Sequence, residues 1–285
     1  MSFINSEFLQ RVESLSRKAK NFEKAEADCA GVCLESLARA VAGGDLVFGY
    51  EPWHALYADD AIPQPTEMLL RLKNAEGAAL PPYPAIMAFY TNGCVTDIDT
   101  ILVLAALGQY AAGKDLQVSI NVSSVSLGSA EFIKAVLPQV EALNLGGSRK
   151  IIFEIHESGS SDLMSKRVLE KCRKLGVLFA LDDVGLSLAD ISRLSAFERI
   201  ADFVKLDRKS VMANPERKRS LDHVMSVIAA TLPFSSVVAE GVKSAEHAAE
   251  ILRYHPGIHY VQGMHLPERG VFTRQWAEIR GKNRS

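Results

Sequence analysis

Val177-Leu178-Phe179-Ala180-Leu181-Asp182-Asp183 is an unbroken apolar run that ends on two adjacent carboxylates. A strand apolar on both faces belongs in a parallel sheet covered by helices, whereas an antiparallel strand with one wet face alternates. The residues just before it fit that setting. Lys171-Cys172-Arg173-Lys174-Leu175 carries cations into the last turn of a predicted helix, and Gly176 stops it. Similar β-branched, apolar runs recur on either side: 46–50, 68–70, 118–120, 151–153, 203–206, 237–239 and 258–261. Helical periodicity fills several gaps, over 130–143, 161–175, 215–231 and 244–254. Eight strands alternating with helices predict an α/β fold, a (β/α)8 TIM-like barrel at about 30 residues per unit. The competing open, doubly wound sheet has no Gly-rich fingerprint after its first strand to support it.

The polar residues fall where such a barrel keeps its chemistry, at the carboxyl ends of the strands. Ile120 is followed by Asn121, Phe153 by Glu154, and Leu181 by Asp182 and Asp183. Val204 runs into Lys205, Ala239 into Glu240 and Val261 into Gln262, while Glu67 stands at the edge of the 68–70 strand. A single acid at a strand end is ordinarily a helix cap or a salt-bridge partner. Six successive strand ends with ligand-type side chains predict one shared cleft. Glu67, Glu154, Asp182, Asp183 and Glu240 cannot all stay ionised there unaided, because like charges raise one another's pKa. Either several are protonated or divalent cations neutralise them. Oxygen donors without clustered cysteine or histidine favour Mg2+ or Mn2+, and a pair of such ions is the clamp used in displacement at phosphorus.

Composition bounds the rest. The chain has 285 residues, 48% of them hydrophobic, and a net charge of −2. That balance argues against a broad DNA- or RNA-binding footprint. The longest apolar stretch, 101–107, is far short of the ~20 residues of a membrane span and reads as a core helix. With no basic segment leading into an apolar one at the N-terminus, and with four cysteines in so long a chain, a cytoplasmic location with reduced thiols is expected. Residues 1 to about 42 read as helix, the second part, 32–41, ending at Gly43-Gly44. The expected division is an N-terminal accessory helix over 1–30 and a barrel domain over 31–285. The prolines of 63–65 and 81–84 are expected to make rigid turns around the second strand.

These motifs resemble the EAL-domain phosphodiesterases, which linearise the bacterial second messenger cyclic di-GMP. Tyr50-Glu51-Pro52-Trp53 resembles the family's Tyr-Gln-Pro-Ile, with Glu51 where Gln is usual, and Glu67-Met68-Leu69-Leu70-Arg71 resembles the motif that names it. Asn121-Val122-Ser123 resembles Asn-hydrophobic-Ser, and Glu154-Ile155-His156-Glu157 resembles Glu-hydrophobic-Thr-Glu. Asp182-Asp183-Val184-Gly185, Lys205-Leu206-Asp207, Ala239-Glu240-Gly241-Val242-Lys243 and Gln262-Gly263 complete the series, from about residue 33 to about 268. The resemblance implies a first strand antiparallel to the others. It implies one Mg2+ or Mn2+ held by Glu67, Asn121, Glu154 and Asp182, and a second by Asp182 or Asp183 with Glu240. It further implies that Lys205 positions the attacking water, Arg71 contacts the substrate phosphate, Gln262 joins the polar cluster and Glu157 anchors a loop. The expected product is linear pGpG.

Two departures bear on activity. The family's Phe-Gly-Thr-Gly-Tyr-Ser-Ser-Leu loop, which links the site to a homodimer interface, reads Val184-Gly185-Leu186-Ser187-Leu188-Ala189-Asp190-Ile191 here. Lys243 replaces a glutamate, and a lysine turned inward would pair with the acids. These changes motivate an alternative, a catalytically degenerate module that binds cyclic di-GMP or a protein partner. The N-terminal helix and the loop after Asp183 are the segments open to such a partner. A Schiff-base role for Lys205 is disfavoured, since a lysine among carboxylates keeps a high pKa.

Overall fold

In the computed structural model, residues 10–11, 13–15, 17–18, 29–57, 64–113, 117–147, 149–156, 166–185, 187–211 and 215–282 are described. The strands are β1 (Val47–Pro52), β2 (His54–Ala55), β3 (Thr66–Lys73), β4 (Ala79–Leu80), β5 (Gln117–Ser123) and β6 (Lys150–His156). They continue with β7 (Val177–Val184), β8 (Phe203–Leu206), β9 (Ser236–Ala239) and β10 (Ile258–Val261). All eight expected strands form, and two short ones, β2 and β4, are added.

The sheet runs β1-β3-β5-β6-β7-β8-β9-β10-β2. From β3 through β10 every neighbour on this path is parallel. The β1 strand pairs antiparallel with β3, and β2 pairs antiparallel with β10. Only Trp53 separates β1 from β2, so one continuous segment bonds to both ends of the parallel series and brings the sheet nearly round into a barrel. The antiparallel first strand is therefore the closing piece. Trp53 keeps its own backbone satisfied by donating to the Pro65 carbonyl at 2.9 Å.

The barrel interior is layered because side chains alternate along each strand. Trp53, Ile152, Ala180, Phe203, Val238 and Tyr260 form an inner apolar plug. Trp53 packs edge-on against Phe203, with centroids 5.3 Å apart, and against Tyr260 at 6.2 Å. Two residues beyond the plug on each strand stand Glu154, Asp182, Lys205, Glu240 and Gln262. The intervening residues, such as Phe153, Leu181, Val204 and Ala239, face outward into the larger core under the helices.

Four expected helices appear, as Ala130–Ala142, Lys166–Lys174, Pro215–Thr231 and Ala245–Tyr254. The stretch 101–107 lies in the helix Val95–Ala112, where Ile101, Val103, Leu104, Ala106 and Leu107 are buried. That helix is long and apolar enough to cross a bilayer by length and composition, but half of it is buried in the fold. The prolines of 81–84 do more than turn the chain. Pro82 is the N-cap of a helix, Tyr83–Thr91, and Pro84 sits in its first turn, where a missing N–H costs nothing. Of the N-terminal accessory segment, residues 10–11, 13–15, 17 and 18 are helical; Leu15 is buried and Lys18 pairs with Asp97. The second helix spans Cys29–Gly43. Cys33, Cys94 and Cys172 are buried free thiols.

Candidate active site

Lys205 is the centre of the polar layer. Its ammonium is 1% exposed and lies 2.6 Å from Glu154, 2.7 Å from Glu240, 3.1 Å from Asp182 and 3.2 Å from Glu67. Beneath it, Nζ stands 5.8 Å from the Trp53 ring centroid, a cation–π contact that fixes the lysine from the plug side. Glu67 is shared further: Asn121 donates to it at 2.7 Å and Gln262 at 2.6 Å. Glu67, near the start of β3, is thus brought together with Asn121, Glu154, Asp182, Lys205, Glu240 and Gln262, which lie on or just past the six other parallel strands.

Asp182 and Asp183 need a special backbone. Successive residues on a regular strand point to opposite faces. The β7–β8 register shifts between Leu181 and Val184, and Asp183 takes φ 52. A bulge with one residue in the left-handed region re-aims its side chain, so carboxylate oxygens of Asp182, Asp183 and Glu240 lie within 4.8 Å of one another. The strain of a non-glycine residue at this φ, of order 1 kcal/mol or more, is held by the adjoining helix, Leu188–Ala196. Its Arg193 is buried and donates to the Asp182 carbonyl at 2.7 Å and to the Ile155 carbonyl at 3.2 Å, while pairing with Asp190. Ser187 caps that helix, and Asp190 completes a capping box. The altered loop therefore has its own device for holding the bulge.

The charges are mutually dependent. Burial, and then the Glu67 charge, push Glu154 well above the usual carboxylate range. Burial pushes Glu240 up to about 7, against the pull of Lys205. Asp183 is raised by burial and by Asp182 and Asp207. For Lys205, burial favours the neutral amine, but Asp182, Glu154, Glu67 and Glu240 together outweigh it, so the ammonium is held well above its ordinary pKa. A Schiff-base nucleophile is the opposite of this arrangement.

Arg71 is exposed at the rim, and Gly49 leaves the space it uses: a Cβ there would lie 2.6 Å from the guanidinium Nε. Gly263 is needed for a close approach, since a Cβ would fall 1.9 Å from the Val242 carbonyl oxygen. Lys243 is exposed, its backbone N–H donates to His247 at 3.2 Å, and no ion pair joins it to the cluster among the described residues. Glu157 lies outside the described residues. Beside the cluster opens a cavity of ≈ 530 Å³, with Arg71, Asn121, His156, Asp182 and Asp183 among its polar lining and Phe48, Leu69, Tyr83, Ile86 and Met87 among its apolar lining.

Sequence reasoning noted Glu51 only as a replacement for glutamine. In register opposite Glu67, it is half-buried, and burial and the Glu67 charge raise its carboxyl above the usual range. Arg193 was also missed; nothing in a helical Asp-x-x-Arg spacing distinguishes a bulge clamp from a surface pair.

The donor set fits hard divalent cations. Glu154 Oε1, Asp182 Oδ1 and Gln262 Oε1 are buried oxygens with no aligned hydrogen-bond donor; Asp182 Oδ1 is close to Lys205 Nζ, but off the hydrogen-bond direction. Buried, unsatisfied carboxylate oxygens beside further carboxylates suit Mg2+ or Mn2+.

A nearly closed barrel with an antiparallel closing strand and a ring of acids at its carboxyl end defines the class. Residues 34–268 match the EAL domain, and the chain belongs to that family. It is 27% identical over 229 residues to the cyclic di-GMP phosphodiesterase NbdA of Pseudomonas aeruginosa, covering 78% of this chain and 29% of that protein. It is 28% identical over 236 residues to the cyclic di-GMP phosphodiesterase PdeB of Shewanella oneidensis, covering 80% and 27%. The chain thus spans less than a third of these relatives. The FimX EAL domain of Pseudomonas aeruginosa, solved bound to c-di-GMP, shares the fold at a TM-score of 0.67 and 22% identity, over 82% of this chain and 94% of that one. The EAL enzyme Bd1971, in a form holding cAMP and cyclic-di-GMP, also superposes at 0.67 with 22% identity, over 90% and 71%.

Proposed function

We propose that this protein hydrolyses cyclic di-GMP to linear pGpG, with Mg2+ or Mn2+, by in-line attack of water on one phosphodiester. The observation that carries the reading is the convergence of Glu67, Glu154, Asp182 and Glu240 on Lys205, with Asn121 and Gln262 completing the set. Glu67, Asn121, Glu154 and Asp182 would hold one cation, and Asp182 or Asp183 with Glu240 a second. When bound, the pair supplies activation of the water and neutralisation of the charge growing on the phosphoryl oxygens.

The chain's own groups do the remainder. Lys205, kept protonated, is a donor only, and orients the attacking water or a phosphoryl oxygen by its N–H groups. Glu240, 2.7 Å from Lys205 Nζ, helps hold that donor toward the reacting centre. Arg71 offers a planar fork for the phosphate. Gln262 and Asn121 fix Glu67 in place, and the Trp53–Phe203–Tyr260 plug closes the floor of the site to water.

The test is turnover by the purified chain with Mg2+ or Mn2+, following pGpG, with Glu67→Ala in parallel. Metal-dependent product that falls more than about 100-fold in the variant supports the enzyme. Saturable nucleotide binding without product would favour the second reading, a non-catalytic nucleotide-binding module, which the replacement of the family's loop by 184–191 motivates.

A further inference from the structure

His156 ends β6, two residues beyond Glu154 and on the same face of the strand, about 6.6 Å further toward the mouth. It lines the cavity beside the acids. Its ring stacks on Tyr90, with centroids 5.7 Å apart and planes at 18°, and its Nε2 lies 3.1 Å from the Tyr90 hydroxyl. That hydroxyl donates to Asp99 Oδ1 at 2.7 Å. Asp99, 3% exposed, is fixed in turn through Oδ2 by the Ser123 N–H at 2.9 Å and the Ser126 hydroxyl at 2.7 Å.

The chain of donors fixes the tautomer of the neutral imidazole. Tyr90 has one proton, and burial with the Asp99 charge keeps it on the oxygen, far above the ordinary phenol range. Since that proton is given to Asp99, the Tyr90 oxygen is left as an acceptor, and His156 Nε2 must carry the hydrogen that meets it. Nδ1 is then the lone-pair nitrogen. It has no hydrogen-bond partner among the described residues, yet it is not among the buried unsatisfied atoms, so it stays accessible.

Resting on the phosphodiesterase reading above, we propose that His156, oriented by Tyr90 and Asp99, is a specificity-determining residue that accepts a hydrogen bond from the N–H edge of a guanine base. A nucleotide whose phosphate is held at Arg71 and the acids sends its base into the part of the cavity lined by Tyr83, Ile86 and Met87. The faces of a purine suit those side chains, but its edge requires a polar partner. Tyr90 and Asp99 are occupied with each other, and the His156 acceptor beside them is open. Guanine presents adjacent imino and amino donors to it. Adenine presents a ring nitrogen with a lone pair at the place of the imino N–H, and an acceptor facing an acceptor leaves both unsatisfied.

The experiment is equilibrium binding of cyclic di-GMP and cyclic di-AMP to the whole chain supplied with Mn2+ in the cold, with product followed in the same samples. The wild-type protein is expected to prefer the guanine dinucleotide. His156→Phe keeps the ring stack but removes the acceptor, and should narrow that preference tenfold or more by weakening cyclic di-GMP. Tyr90→Phe, which frees the imidazole tautomer, should narrow it less, and carries the test if His156→Phe does not fold. An unchanged ratio in a folded variant, or a wild-type protein without preference, overturns the assignment and leaves the phosphodiesterase reading intact. A wild-type protein that binds neither dinucleotide overturns both.

Discussion

Replacing Lys205 by methionine keeps the length of the side chain in its cavity and removes the one cation among four carboxylates. The contacts at 2.6–3.2 Å correspond to a gross attraction of about 5 kcal/mol each at an effective dielectric of ~20. Carboxylate repulsion and desolvation cancel most of that sum. What remains on breaking a buried ion pair is about 3–5 kcal/mol, or a fall in Tm on the order of 10 °C for a chain of this size. The loss should depend on pH. Lys205 itself stays charged throughout the range pH 5.5 to 8, because its folded pKa is raised, so its own titration adds no slope there. The uncovered acids, already raised by burial, move further up and take protons as the pH falls. Urea unfolding in chelator, followed by circular dichroism, should therefore show most of the loss at pH 8 and under half of it at pH 5.5. Adding Mn2+ at pH 8 should restore much of the stability, as a dication replaces the ammonium. A variant as stable as wild type at pH 8, or a loss equal at both pH values, would refute the view that Lys205 is the counter-ion of the cluster.

Other expectations follow from the same geometry. In chelator, Glu240 binds a proton in the folded state up to about pH 7 but in the unfolded state only to its ordinary value of 4.5. The native state therefore binds more protons in that window, and stability should fall by about 3 kcal/mol as pH rises through it; Glu240→Gln should flatten the slope in urea titrations. Arg193→Ala removes a buried guanidinium from the carbonyls of Asp182 and Ile155 and leaves Asp190 uncovered, so a loss of about 3 kcal/mol and a drop in kcat larger than any rise in KM are expected. Arg193→Lys should recover little, because one ammonium cannot span two carbonyls and a carboxylate. Ser187→Ala should cost about 1 kcal/mol by loss of the cap, with a smaller effect on kcat than Arg193→Ala.

Much of this site can be read before any coordinates, and the reason is periodicity. Ile152 and Glu154, Ala180 and Asp182, Phe203 and Lys205, Val238 and Glu240, and Tyr260 and Gln262 repeat one arrangement: a plug residue, then a polar residue two places on. A period of two is the geometry of a strand, so these residues share a face wherever the strands lie. What escaped has no local signature. The adjacent aspartates do not announce a bulge, and only the register shift with φ 52 at Asp183 turns both toward Glu240. The helix Tyr83–Thr91 was hidden by prolines that belong to its first turn. Asp99 sits within a helix read as core, and its tie to Tyr90 and His156 depends on tertiary contact alone.

The loop after Asp183 shows how a departure from a family's pattern is to be weighed. Read residue by residue, Ser187 in place of a glycine and Leu188 in place of an aromatic count against the site. Held together, the same segment has a logic: Ser187 starts a helix, Asp190 closes the capping box and takes one nitrogen of Arg193, and the other nitrogen grips the strand ends that carry Asp182 and follow Glu154. A glycine at 187 would forfeit the cap and loosen the arginine. The bulge needs some clamp, because a non-glycine residue at positive φ relaxes unless its surroundings over-determine it. The clamp is therefore part of what sets the spacing of the acids, and exchanging the 184–191 segment for the family's usual sequence, with Arg193 retained, should lower stability in this protein instead of raising activity. A gain in both would mean that the acids are positioned by β7 alone.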